Sequence, residues 1–272
     1  MIKQAIIPLA GLGTRMLPLT SVIPKELLPI NGKPNLEYIL DECIEAGIKE
    51  FIFIISKNKL SIKKYFFNDK FYKSILKKKK DKRIEKVFKK LKKYQKMIKF
   101  VYQNNPKGTG HAILLCKNYI KSSHFLILFP DDLIIKKNCT KEMIALHKKT
   151  KSSVIATKTV NKKDVSRYGI LSIKNKKKNY FQIKDVIEKP IQKYAPSNYA
   201  IIGRYILPKT IMRKLKNLKP GLGGEIHITD AIKKSIQGGD EFYGNIFKGK
   251  YLDCGTLNGY INSGIQISKK VK

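Results

Sequence analysis

Short apolar runs separated by longer amphipathic stretches fill the first 160 residues of this 272-residue chain. Such runs, rich in Ile, Phe and Val, are typical of strands buried on both faces of a sheet, and they lie at 4–9, 51–55, 100–102, 125–129 and 153–158. Between them, apolar positions at helical spacing predict helices over 36–46, 108–118 and 140–149. Strands that alternate with helices indicate an α/β fold with a mixed, mostly parallel, Rossmann-like sheet flanked by helices.

The pattern changes after residue 160. Strands are predicted near 168–173, 180–188 and 199–207, separated by Gly and Lys-Asn turns that favour a smaller antiparallel subregion. Helices are predicted over 208–215, 229–236 and 257–268, and the segments 242–247 and 251–253 are expected to return to the core sheet. We interpret residues 1–272 as one domain with two lobes, about 1–160 and 161–272.

The turn after the first strand has the composition of a phosphate-binding loop. Gly11 and Gly13 permit positive φ and let backbone N–H groups approach an anion, while Arg15 and Lys25 add positive charge. The turn lacks the spacing of a Walker loop, and Met16 stands where a GxGxxG fingerprint has its third glycine. It therefore matches neither common phosphate motif.

Polar side chains also follow two other predicted strands. Asp131 and Asp132 follow the run at 125–129 after one proline, Pro130, and Gln103 follows the run at 100–102. The carboxyl ends of parallel strands are where α/β sheets bind ligands. The sequence therefore predicts that these residues lie at a binding cleft.

Charge and composition limit the classes of function. The formal net charge is +37, yet only five of the 57 basic residues are arginine. Nucleic-acid sites usually combine arginine forks with stacked aromatic residues, so we favour drift towards A+T-rich codons over a nucleic-acid partner. The lysine-rich segment 57–96 keeps an apolar stripe and predicts exposed helices. A basic surface would still attract anionic substrates.

Membrane insertion, disulfides and zinc are not expected. No apolar run approaches the ~20 residues that a membrane span needs, and the first residues lead directly into a strand without a signal-peptide pattern. The four cysteines are widely scattered, with no CxxC and no paired His. We expect unpaired thiols in a reducing cytoplasm.

Longer motifs carry a family resemblance. The stretch AIIPLAGLGTRMLPLTSVIPKELLPINGKP at 5–34 is followed, in order, by GTGHA at 108–112, PDD at 130–132, EKP at 188–190, APSNYAIIGRYIL at 195–207, GGEIHITDAI at 223–232 and DCG at 253–255. Together they cover nearly the whole chain and resemble the sugar-1-phosphate nucleotidylyltransferases, in particular the branch that uses UTP and glucose 1-phosphate.

The resemblance implies a reaction. The phosphate of glucose 1-phosphate would attack the α-phosphorus of UTP in line with departing pyrophosphate, giving UDP-glucose with the help of Mg²⁺. Relatives that use dTTP or ATP, and a non-catalytic regulatory relative, remain alternatives. The family also implies a homodimer or homotetramer.

The resemblance also assigns roles to individual residues. The expected catalytic cations are Arg15, Lys25 and Lys189. The expected metal ligands are Asp131 and Asp253, with Asp132 as a competitor for the first position. The expected nucleotide-binding residues are Ala10, Gly11, Gly13, Thr14, Gln103 and Gly108. The expected sugar-binding residues are Gly169, Glu188, Asn198, Gly203 and Glu225. For Glu188 an ion pair with a lysine, and for Glu225 a helix-entry position, are the alternatives.

Overall fold

The computed structural model describes residues 2–269 as alternating strands and helices. The strands are β1 Gln4–Pro8, β2 Pro29–Ile30, β3 Lys33–Pro34, β4 Glu50–Ile55, β5 Ile98–Tyr102, β6 His124–Leu128, β7 Asp132–Ile135, β8 Ser153–Thr159, β9 Gly169–Lys174, β10 Tyr180–Glu188, β11 Tyr199–Pro208, β12 Phe242–Ile246 and β13 Lys250–Asp253. The α-helices are α1 Asn35–Glu45, α2 Leu60–Phe66, α3 Asp69–Lys78, α4 Lys82–Gln95, α5 Thr109–Leu114, α6 Cys139–Thr150, α7 Ile211–Lys216, α8 Ile228–Gln237 and α9 Leu257–Ser268.

One mixed sheet organises the described chain. Its nine strands follow the order β5-β4-β1-β6-β11-β8-β12-β10-β9. The strands β5, β4, β1 and β6 are mutually parallel, β11 is antiparallel to both β6 and β8, and β10 is antiparallel to both β12 and β9. The predicted α/β class with an antiparallel part is confirmed.

Both faces of the parallel strands are buried. Ile7 and Phe53 belong to the apolar cluster on one face of the sheet, whereas their chain neighbours Ile6 and Ile52 belong to the cluster on the other face. All four side chains are fully buried. Because successive side chains of a strand point to opposite faces, a strand covered by helices on both sides needs a continuous apolar run.

The two predicted lobes share this sheet. Strand β11 lies between β6 and β8, and β12 lies beside β8, so strands from before and after residue 160 alternate. Strands β9 and β10 extend the same sheet at its edge. The antiparallel subregion is therefore continuous with the core.

The prediction that residues 251–253 return to the core sheet is wrong. Strand β13 pairs with β7 in a separate two-stranded ribbon, with Asp253 opposite Asp132. The chain turns at Pro130 after β6 and becomes extended again, and this second strand was not predicted. The ribbon brings the 253–255 segment beside the turn at 130–132.

The lysine-rich segment forms three exposed helices, as predicted. In α4, Leu91 and Tyr94 are buried while the lysines are exposed or half-buried, and the Asp81 side chain accepts hydrogen bonds from the first turn of that helix. Between residues 2 and 269, none of the helices combines the length and apolar character that crossing a membrane requires.

Candidate active site

The glycine-rich turn lies at the carboxyl edge of the parallel strands and is tightly held. Gly13 has φ +71°, and a Cβ there would lie 3.1 Å from Cγ2 of Thr20. The Thr20 hydroxyl donates a 2.9 Å hydrogen bond to the Gly13 carbonyl. A residue with a side chain at position 13 would be strained, whereas Gly11 has open space around it.

All the predicted nucleotide-binding residues line one hollow of about 430 Å³. Its walls come from the carboxyl ends of β1, β5 and β6 and from the loop before α8. The predicted residues that line it are Ala10, Gly11, Gly13, Thr14, Lys25, Gln103, Gly108, Asp131 and Glu225. We refer to it as the nucleotide-side hollow.

Gln103 and Gly108 are held against each other at one end of this hollow. The buried amide of Gln103 donates to the Gly108 carbonyl at 3.3 Å and lies 2.9 Å from Nδ1 of His111. Burial lowers the pKa of His111, which favours the neutral ring whose Nδ1 accepts this bond. Gly108 has φ +92°, and a Cβ there would lie 2.6 Å from the Ile226 carbonyl oxygen. No larger residue fits that position.

A cluster of opposite charges surrounds Asp131. Lys25 Nζ lies 2.6 Å and Arg15 Nη2 3.5 Å from Oδ2 of Asp131. Burial alone would lower the pKa of Lys25, but Asp131 and Glu26 outweigh it and raise that pKa, so the ammonium stays charged. Glu26 is itself buried and accepts two 2.8 Å hydrogen bonds from Lys59. This second pair anchors the backbone next to Lys25.

Asp131 and Asp253 approach each other around Gly255. The position that a Cβ would occupy at Gly255 lies 2.8 Å from Oδ2 of Asp131, 2.9 Å from Nη2 of Arg15 and 3.2 Å from Oδ1 of Asp253. The Gly255 N–H donates to Oδ1 of Asp253 at 2.8 Å, and Nη2 of Arg167 donates to its Oδ2 at 3.0 Å. Two carboxylates from different elements therefore meet at one point, each beside an arginine.

Asp132 has a different environment. Its Oδ1 accepts a 2.6 Å hydrogen bond from the Tyr251 hydroxyl, and its Oδ2 lies where a Cβ at Gly203 would be only 2.2 Å away. Burial, together with the nearby charge of Asp131, raises the pKa of Asp132 above its ordinary value. Asp131 therefore contacts the cations, whereas Asp132 is held by the Tyr251 hydroxyl.

A second hollow of about 300 Å³ continues from the first. Asp131 and Glu225 line both, whereas Arg15 lines only the second. The other predicted residues along it are Gly169, Glu188, Lys189, Gly203 and Asp253. We refer to it as the sugar-side hollow.

The carboxylate of Glu188 is fixed within the sugar-side hollow. Its Oε2 accepts a 2.9 Å hydrogen bond from the Thr229 hydroxyl. A Cβ at Gly169 would lie 3.2 Å from the same oxygen, so glycine keeps the space beside it open. The alternative of an ion pair with a lysine finds no support among residues 2–269, where Thr229 is the side-chain partner.

Asn198 does not join the other predicted residues. It is exposed and lines a separate surface cavity with Lys162, Val165 and Gln192. Its backbone carbonyl accepts a hydrogen bond from Val160 N, which continues the β8–β11 pairing. The motif around Asn198 thus contributes Gly203 to the cleft, five residues further on.

Two arginines at the site were missed from the sequence. Arg167 lines the sugar-side hollow, and the fully buried Arg204 donates to the carbonyls of Phe129 and Asp132, on either side of Asp131. A signal was available, because arginine is rare in a chain with so many lysines. Three of its five arginines lie at or beneath this cleft.

Comparison with known proteins agrees with the geometry of the cleft. A family model described as nucleotidyl transferase matches residues 4–270. The chain belongs to the nucleotidyl transferase family. The family expected from the motifs is thereby confirmed.

The relatives of this nucleotidyl transferase span almost its whole length. It is 39% identical to UTP–glucose-1-phosphate uridylyltransferase 2 of Staphylococcus saprophyticus, over 99% of this chain and 93% of that one. A solved UDP-glucose pyrophosphorylase complexed with UDP-glucose matches with a TM-score of 0.88 and 36% identity, covering 99% of this chain and 100% of the other. A UTP-bound UGPase from Acinetobacter baumannii matches with a TM-score of 0.83 and 31% identity, over 98% and 93% of the two chains.

Proposed function

We propose that this nucleotidyl transferase transfers a uridylyl group from UTP to glucose 1-phosphate, giving UDP-glucose and pyrophosphate. The observation that carries the proposal is the position of Asp131 on the wall shared by the two hollows, with Arg15 Nη2 3.5 Å from its Oδ2. A nucleotide in one hollow and a sugar phosphate in the other would meet there. Relatives named for this reaction, and neighbours bound to UTP or UDP-glucose, support the choice of substrates.

Alignment and charge neutralisation supply most of what this reaction needs. Arg15 and Lys25 would hold the β- and γ-phosphates and stabilise the charge on departing pyrophosphate. Lys189 would hold the phosphate of glucose 1-phosphate for in-line attack on the α-phosphorus. No general base is required, because the attacking phosphate oxygen is already ionised.

The site fits Mg²⁺. Among the described residues, no group of three or more His, Cys, Asp or Glu side chains could hold a metal ion by itself. Mg²⁺ typically takes one or two protein carboxylates and fills its other positions with water and substrate phosphates, so the convergence of Asp131 and Asp253 near Gly255 suits it. When bound, the ion would neutralise and orient phosphate oxygens.

Recognition of the base and the sugar would fall to polar groups that line the two hollows. Gln103 would read the uracil edge through its amide, and Gly108 would let the backbone approach the base. Glu188 and Glu225 would accept hydrogen bonds from glucose hydroxyls, with Gly169 and Gly203 leaving room for the ring. Asn198 is left out of this proposal because it lines a separate cavity.

The proposal also assigns a role to each lobe and an oligomeric state to the protein. Residues of about 1–160 would supply the nucleotide-binding lobe and about 161–272 the sugar-binding and closing lobe of one domain. We expect a homodimer or homotetramer, which native mass spectrometry would measure directly. The four unpaired, buried cysteines support a reducing compartment such as the cytoplasm.

A substrate panel tests the reaction. UTP, dTTP and ATP would each be incubated with glucose 1-phosphate and Mg²⁺ while pyrophosphate release is measured. We expect UTP to give the highest kcat/KM. Preference for dTTP or ATP would refute the uridylyl assignment, and absence of turnover with all three would favour a non-catalytic relative.

A further inference from the structure

Arg167 lies at the entrance to β9, within the sugar-side hollow. It ends the 3-10 turn Lys162–Arg167 and is followed by Tyr168 and Gly169. Its Nη2 donates to Oδ2 of Asp253 at 3.0 Å, and about half of its side chain is exposed to the cleft and solvent.

Backbone pairing places Arg167 and Lys189 on the same side of the hollow. Gly169 pairs with Glu188 in the β9–β10 register, and the Lys189 N–H donates to the Tyr168 carbonyl at 3.0 Å. Arg167, which precedes Tyr168, and Lys189, which follows Glu188, are therefore held at the same end of the β9–β10 pair.

Few permanent positive charges face the sugar-side hollow. Among the described residues that line it, only Arg15, Arg167 and Lys189 carry one. Arg15 comes from the glycine-rich turn, and its Nη2 lies 3.5 Å from Oδ2 of Asp131, which lines both hollows. Arg167 and Lys189 are thus the cations that come from the sugar side, where a dianionic sugar phosphate would lie.

The guanidinium of Arg167 keeps donors for a second partner. Within residues 2–269 its nitrogens make one side-chain hydrogen bond, to Asp253, and Nη1 lies 3.8 Å from Oδ1 of Asp164, beyond hydrogen-bond range. An arginine has five N–H donors in a planar fork, so it can contact a carboxylate on one edge and a phosphate on another. The carbon at the centre of the guanidinium lies 5.6 Å from the centroid of the Tyr168 ring, which restrains the fork.

We propose that Arg167 is a second catalytic residue on the phosphate of the sugar 1-phosphate, which it holds together with Lys189 while its Nη2 remains on Asp253. The proposal rests on the proposed function, because it needs a sugar phosphate in this hollow. Arg167 would restrict rotation of the attacking phosphate and fix that phosphate relative to Asp253.

Replacement of Arg167 by methionine or lysine tests this role. A charge-assisted hydrogen bond to phosphate corresponds to about 10- to 100-fold in affinity, so we expect Arg167→Met to raise the KM for glucose 1-phosphate, and the KM for UDP-glucose in the reverse direction, by that factor. The KM values for UTP and pyrophosphate should stay within about twofold. Arg167→Lys, which keeps the charge but loses the fork, should show a smaller loss. Arg83→Met removes an exposed arginine outside both hollows and is the matched control.

Calorimetry without metal gives a readout independent of turnover. Arg167→Met should weaken binding of UDP-glucose by about 10- to 100-fold and leave binding of UMP, which fills only the nucleotide side, unchanged. Equal loss for both ligands, or wild-type values for both, would overturn the role of Arg167. A wild-type protein that binds neither UDP-glucose nor glucose 1-phosphate would instead overturn the proposed function itself.

Discussion

Replacement of Arg204 by methionine tests how the turn that carries Asp131 is held. Arg204 is fully buried, and its Nη2 lies 3.0 Å from Oε2 of Glu42. The same guanidinium donates to the carbonyls of Phe129 at 3.1 Å and Asp132 at 2.5 Å, the residues that flank Pro130 and Asp131. Burial alone would lower the pKa of Arg204, but Glu42 outweighs it and raises the pKa, so the guanidinium stays charged.

The cost of the change follows from what it leaves behind. Methionine fills part of the volume but leaves the carboxylate of Glu42 buried, with the Thr140 hydroxyl at 2.7 Å and the Thr140 N–H at 3.2 Å as its remaining donors inside the core. Breaking a buried ion pair in this way costs about 3–5 kcal/mol. For a chain of this size that corresponds to a fall in Tm of about 6–20 °C. We expect kcat to fall as well, because the carbonyls beside Asp131 lose their donor.

The assay is urea unfolding followed by circular dichroism, with the free energy of unfolding compared among variants. Arg213→Met, at an exposed position of α7, is the control and should change stability by no more than about 0.5 kcal/mol. The double variant Arg204→Met with Glu42→Met should be more stable than Arg204→Met alone, because no unpaired charge remains. A loss below about 1 kcal/mol for Arg204→Met, or strictly additive effects in the double variant, would refute the reasoning.

Three further predictions concern the cleft and the core. Asp131→Asn should abolish turnover while circular dichroism stays native, and near-normal activity would reject Asp131 as a metal ligand. Gly203→Ala should lower kcat/KM at least about tenfold, since its Cβ would lie 2.2 Å from Oδ2 of Asp132; Gly264→Ala in α9, with open space around its Cβ, should leave the kinetics unchanged. Thiol titration with Ellman's reagent at pH 8 should find little reaction in the native protein and four thiols in urea. Burial raises the pKa of all four cysteines, to about 12 for Cys116 and Cys254 and well above the ordinary value for Cys43 and Cys139. Rapid labelling of the native protein would contradict the burial.

Much of the fold was determined by local patterns in the sequence. The apolar run at 125–129 predicted a strand buried on both faces, and the segment 257–268 was predicted to form a helix, since strand and helix patterns depend on neighbouring residues. The same holds for the glycine turn, because a residue such as Gly13 is needed wherever φ must be positive. Family motifs then indicated the reaction class, which the family match confirms.

Partners that are distant in the sequence were decided only by the tertiary structure. Local periodicity carries no information on which strands pair, so nothing near residue 253 indicated that β13 would pair with β7 and bring Asp253 to Asp131. The hydrogen bond from Arg167 to Asp253 spans 86 residues and the ion pair of Arg204 with Glu42 spans 162, and both depend on strand order. Asn198 illustrates the same limit. The motif that contains it indicated the family, but the residue itself lines a different cavity from the other predicted sugar-binding residues. Composition and periodicity determined the strands and helices of this protein, and long-range packing determined which charged side chains lie together in its cleft.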